Sequence, residues 1–149
     1  MAGLLNIGEM SALALHALVE LAETERTDPG KRLGVPELAG RLSASQHTLH
    51  KVITRLVNEG MVDSARGPSG GIRLSEPPED INILRVVEAV DGKVNSNACL
   101  FANRVCPPGA PCAFSSLTDK LESQIREHFV NTTIKKLMDS LRKTRRLCK

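Results

Sequence analysis

A chain of 149 residues, 41% of them apolar, can bury one core, and its net charge of +3 is too small to bind nucleic acid through bulk charge alone. Tyr and Trp are absent and only three Phe occur, so the core is aliphatic; stacking platforms for single-stranded nucleic acid are excluded, whereas duplex binding stays open. Four cysteines without a basic leader segment before them argue against a secreted disulfide framework; a reducing, cytoplasmic setting is expected, where clustered thiols serve metal or redox chemistry.

From Gly8 to Thr24, the spacing of Met10, Leu13, Ala14, Ala17, Leu18 and Leu21 predicts a first helix. Ala12, Leu15 and Val19 make its other side apolar as well, leaving a narrow polar stripe of Glu9, His16, Glu20 and Glu23. Such a helix is expected to be covered twice, by its own domain and by a partner subunit. His16 and Glu20 interrupt the apolar run from Met10 to Ala22, which therefore reads as a buried helix and not a membrane span. Beyond the turn Asp28-Pro29-Gly30, Val35 to Leu42 predicts a second helix with Pro36 in its first turn. A tight connection, Ser43 to Ser45, follows, and Ser43 with Gln46 has the spacing of a capping box. The third helix is predicted to run on to Glu59. Leu49, Val52, Ile53, Leu56 and Val57 form one apolar face, while His47, Thr48, His50, Lys51, Thr54 and Arg55 lie away from it.

Met61 to Arg66 and Ile72 to Ser75 predict the strands of a hairpin tipped by Gly67-Pro68-Ser69-Gly70-Gly71. Asn82 is placed to cap a fourth helix through Val90, with Gly92 beyond its end. Residues 93–114 carry three cysteines, three prolines and little periodicity, so something other than apolar packing must order this loop. Ser115 to Phe129 resumes helical spacing at Leu117, Leu121, Ile125 and Phe129; a further short helix is predicted over Thr133 to Leu141, and the basic residues 142–149, with Cys148 as a bystander thiol, read as a frayed tail. The predicted fold is mainly α with a small β-hairpin.

Helix, tight turn, amphipathic helix and glycine-tipped hairpin, in that order, outline a winged helix-turn-helix, whose last helix enters the major groove. Ser45, Gln46 and Thr48 place hydroxyl and amide groups near the start of that helix, and His47, Lys51 and Arg55 continue its polar face. Hydroxyls and backbone N–H groups at a helix start suit phosphate oxygens, and Gln or Lys reaches base edges. Arg66 and Arg73 flank a hairpin tip slim enough to approach the sugar-phosphate backbone or the minor groove. Taken singly, a polar helix face is only solvated and a glycine-rich turn only loose; their order is what points to DNA. No Ser-His-Asp set, phosphate loop or framed carboxylate pair supports an enzyme. A winged helix used for protein contacts without DNA stays open.

Cys99, Cys106 and Cys112 are spaced Cys-x6-Cys-x5-Cys. Three thiolates this close can surround one inorganic cluster, because thiolate is the soft ligand that iron–sulfur clusters and zinc select. Zinc and free thiols stay open on spacing alone, since zinc prefers shorter Cys-x2-Cys pairs without requiring them.

The stretches Ala14 to Ala22, Val35 to Leu42, Leu49 to Gly60, Arg66-Gly67-Pro68-Ser69-Gly70-Gly71 and Val86 to Gly92 resemble the IscR/NsrR-type regulators of the Rrf family, and the likeness runs to about Leu141. Its most specific marks are the wing and the three later cysteines. The resemblance implies a homodimer on a palindromic promoter, with an N-terminal winged helix-turn-helix over residues 1–92, a cluster-binding loop over 93–114 and dimerisation helices over 115–141. It places DNA contacts on Ser45, His47, Thr48, Lys51, Arg66 and Gly67, although the family often has Tyr where Thr48 stands and Gln where Lys51 stands. It also implies an iron–sulfur cluster, of either two or four irons, that senses redox state, nitric oxide or cluster supply, most often in a repressor. The family's cysteine spacing is usually five and five. A His that completes the site three residues after the last Cys in one branch is Ser115 here. In other branches the partner's first helix supplies an Asp, or a Glu with a His; His16 matches that His, Ala12 stands at the acidic place, and Glu9 lies two turns before His16 on the same stripe.

Overall fold

The computed structural model describes residues 8–93 and 114–147, the last three by backbone alone. Cys99, Cys106, Cys112 and Cys148 lie outside the described residues.

The first helix, α1, spans Glu9–Thr27, three residues past the predicted end, and stops at Asp28 just before Pro29. It buries Ala14, Ala17, Leu18, Leu21 and Ala22 and packs against every other helix of the N-terminal region. The second helix, α2, spans Val35–Leu42 as predicted, and the third, α3, spans Gln46–Asn58. Between them the chain turns at Ser43, whose φ of +51° is left-handed; its N–H reaches back to the last carbonyls of α2, so Ser43 closes α2 and does not open α3. The N-cap of α3 is Ser45, with no side-chain cap bond, and the capping box expected between Ser43 and Gln46 is therefore not formed. The sharp turn wins because the two helices must cross to share Leu38, Ala39, Leu49 and Val52 in the core.

Strands β1 (Val62–Ala65) and β2 (Gly71–Leu74) pair antiparallel, with Val62 opposite Leu74 and Ala65 opposite Gly71. Leu33 adds a short third rung, exchanging backbone hydrogen bonds of 2.9 and 2.8 Å with Ile72. That rung explains Gly71: its φ is +133°, and a Cβ there would sit 2.7 Å from the Leu33 carbonyl oxygen. Asn82 caps α4 (Ile83–Asp91) as predicted, its Oδ1 accepting from the Arg85 N–H at 2.9 Å.

The C-terminal half holds α5 (Ser115–Asn131) and α6 (Ile134–Leu147). They are separate helices because the backbone at Thr132 and Thr133 is extended and pairs with the segment before α4. The Ile83 N–H donates to the Thr132 carbonyl and the Ile134 N–H to the Ile81 carbonyl, both at 2.9 Å. The chain expected to fray beyond residue 141 instead continues α6 to Leu147. Ile134 and Met138 enter the same core as α1, and Arg142 pairs with Glu23 at 3.4 Å. Part of the α1 surface expected to meet a partner subunit is thus covered by this chain's own α6.

The core is aliphatic, as the composition requires: Leu18, Leu33, Leu38, Leu49, Leu56, Met61, Ile72, Ile81 and Ile134 are fully buried. Each such side chain contributes about 1.5–3 kcal/mol relative to exposure.

Candidate nucleic-acid interface and cysteine segment

Burial of Leu49, Val52, Ile53 and Leu56 against α1, α2 and α4 turns the opposite face of α3 outward. Ser45, Gln46, His47 and Lys51 are exposed and Thr48 is half-buried, and none of the five side chains bonds to another described residue. The first-turn N–H groups, which no side chain caps, point out of the same end, where the helix dipole favours an anion. This face has the groups and the freedom to meet a phosphate backbone and adjacent base edges.

The wing presents Arg66 and Gly67 at its tip. Arg66 is exposed and makes no hydrogen bond to a described residue, while Gly67 adopts a φ of +108° and its carbonyl accepts from the Gly70 N–H at 2.9 Å, tightening the turn. Arg73 lies lower on the hairpin, opposite Asp63, and its Nε donates to Asp63 Oδ2 at 3.3 Å. Arg32, absent from the residues singled out in the sequence, donates to the same oxygen at 2.6 Å and to the Gly71 carbonyl at 3.2 Å. The hydrogen bond from Arg32, with the positive charge of Arg32 and then Arg73, holds the Asp63 carboxyl below its ordinary range even against partial desolvation. A lone Arg before the Leu33 rung has no periodic signature, so only the fold could bring it to the wing.

Arg55 differs from its neighbours on α3. Its guanidinium donates from Nη1 to the Val90 carbonyl at the end of α4, which ties it to the protein's own frame.

Glu9 and His16 both sit exposed on α1 without a partner among the described residues, and Ala12 between them is exposed too. At 1.5 Å rise per residue they stand roughly 10 Å apart along the helix, so one of them, not both, fits beside a single small cluster. Among the described residues no three His, Cys, Asp or Glu side chains converge as a metal site. The donor chemistry fits a cluster all the same: three thiolates follow in sequence, and an imidazole and a carboxylate stand open on α1. No described helix is long and apolar enough to cross a membrane.

A family model named Rrf2, described as an iron-dependent transcriptional regulator, matches residues 7–140. The chain is 42% identical to the transcriptional regulator NsrR of Bacillus subtilis over 91 residues, which cover 61% of this chain and 60% of that one. It is 31% identical over 125 residues to the regulator IscR of Photobacterium profundum, covering 84% of this chain and 70% of the relative. Among solved structures, CymR, the global cysteine regulator of Bacillus subtilis, superposes with a TM-score of 0.72 at 21% identity, covering 90% of this chain and 96% of that one. IscR of T. potens superposes at 0.71 and 19% identity, covering 91% and 87%. These two likenesses show the shared winged-helix fold. The chain belongs to the Rrf2 family and is a transcriptional regulator, not an enzyme.

Proposed function

We propose that the protein is a cytoplasmic, homodimeric regulator, acting as a repressor, that binds palindromic promoter DNA and carries an iron–sulfur cluster on Cys99, Cys106 and Cys112. The observation that carries the DNA-binding part is the outward face of α3, where Ser45, Gln46, His47, Thr48 and Lys51 are left unpaired beside an uncapped helix start. Arg66, Gly67 and Arg73 of the wing complete the footprint. Half-sites one helical turn apart, about 34–36 Å, require two copies of α3 held at that distance.

The second copy is supported by α5, which buries no residue in this chain although Leu117 and Val130 are 47% and 46% exposed. Leu117, Leu121, Ile125 and Phe129 repeat every four residues and form a stripe suited to an identical helix. Three thiolates, with His16 or Glu9 reaching from the partner subunit's α1, would hold the cluster. When bound it supplies a group whose ligation changes with oxidation, nitrosylation or iron supply. Whichever of His16 and Glu9 serves as ligand would respond by holding or releasing α1 at the subunit boundary. The likeness to the cysteine regulator CymR supports a second reading, in which the thiols act without a cluster.

Anaerobic purification with iron and sulfide analysis and visible spectra, on wild type beside His16→Ala and Glu9→Ala, tests the cluster. One variant is expected to alter the spectrum. Protein that binds no iron after anaerobic reconstitution, or that grips its promoter equally with and without iron, overturns the sensing account and leaves the thiol reading. The footprint is tested by Arg66→Ala, which is expected to lower the salt dependence of duplex binding by about one charge.

A further inference from the structure

The last turn of α4 holds two elements at one point. Asp91 Oδ2 accepts from the Gly8 N–H and from the Ser11 hydroxyl, each at 2.6 Å, so one carboxylate oxygen caps the first turn of α1. The N–H groups there lack intrahelical partners and the helix dipole favours negative charge. Ser11 is fully buried, which shields its bond from water. One residue earlier, the Val90 carbonyl, among those that the end of α4 leaves open, accepts from Arg55 of α3. Val86, Val87 and Val90 are buried, so α4 is seated as a rigid unit and these two acceptors move together. Gly92 follows with φ +87°, and the chain passes directly into the stretch that carries the three cysteines.

We propose that Arg55 and Asp91 are positioning residues, and that the α4 terminus is a joint which sets the recognition helix and the start of α1 together and passes a displacement of the chain at residue 93 to both. The joint rests on hydrogen bonds among described residues; only the stimulus rests on the iron–sulfur reading. Arg55 then shapes DNA binding through the placement of α3, without touching a phosphate.

The test compares wild type with Asp91→Ala, Asp91→Asn, Ser11→Ala and Arg55→Met, using an operator selected from random duplexes. Operator affinity is measured across salt for the iron-loaded and iron-free full chain, and amide exchange is followed in the iron-free form. Asp91→Ala is expected to shrink the loaded-to-free affinity ratio by roughly tenfold, with Asp91→Asn, which keeps an acceptor, retaining most of it. Arg55→Met is expected to weaken operator binding by roughly tenfold with an unchanged salt slope, because no phosphate contact is lost. In the iron-free protein, Asp91→Ala and Ser11→Ala are expected to speed exchange in both the first turn of α1 and α3, with Asp91→Asn close to wild type. A wild-type ratio in Asp91→Ala, a salt slope reduced by about one in Arg55→Met, or faster exchange confined to α1 overturns the joint. If wild type shows no iron-dependent ratio, the iron–sulfur reading fails by itself, and the exchange and Arg55 measurements still decide the joint.

Discussion

Ser43 shows how a single backbone angle governs the DNA-binding unit. A side chain in the left-handed region costs roughly 1–2 kcal/mol, and at Ser43 that conformation lets its N–H close α2 on the Ala39 and Gly40 carbonyls. Ser43→Gly is expected to be neutral or to stabilise by up to about 1 kcal/mol, whereas Ser43→Val is expected to destabilise by about 1–2 kcal/mol, read as opposite shifts in urea midpoint. Asp63 makes a second prediction at this scale. Its folded carboxyl titrates below the ordinary Asp value near 3.9, so its contribution is complete above that pH and is lost as pH falls through the lower folded value. The stability gap between wild type and Asp63→Asn, measured by urea denaturation, is expected to be constant at neutral pH and to close below about pH 4. A gap that persists into stronger acid would show that the Arg32–Asp63–Arg73 cluster does not depend on the carboxylate charge.

Among the elements, α5 stands apart because it meets the rest of the chain chiefly through α4, with Arg126 paired to Glu88 at 3.3 Å, and leaves its apolar stripe half open. Burial of one such apolar side chain contributes about 1.5–3 kcal/mol, and in the proposed dimer the stripe, repeated on two identical helices, is what would offset the entropy of association. Leu117→Glu with Ile125→Glu is expected to convert a dimer to a monomer in light scattering while circular dichroism stays unchanged, since neither residue belongs to the buried core. The helix pattern itself was legible in the sequence, down to Leu117, Leu121, Ile125 and Phe129. The break between this helix and the one that begins near Thr133 was legible too; what was not is the backbone pairing of Thr132 and Ile134 with Ile83 and Ile81, because those partners lie some fifty residues away.

For the molecule as a whole, α1 is the hub and α6 its far buttress. Ile134 is fully buried although it begins the last helix, so the N-terminal core is completed only when the C-terminus returns. Ile134→Ala is expected to cost about 2–5 kcal/mol, a large share of the stability of a domain this size, and to lower thermal stability and DNA binding together. Loss of dimerisation alone, with the unfolding midpoint unchanged, would mean that α6 is not part of the DNA-binding unit's core.

Local chemistry determined much of this protein from the sequence itself: helix faces follow from apolar spacing, the cap at Asn82 from an amide before an apolar run, and the wing from glycines where the chain must turn sharply. The outward residues of α3 were legible for the same reason, since whatever is not needed for the core faces water. Tertiary structure alone decided what depends on pairs distant in sequence. It brought Arg32 to Asp63, joined Arg55 of α3 to the end of α4, and set Asp91 over the start of α1. Such contacts arise only when helices cross and bring their ends together, and no periodicity along a chain records where two ends will meet.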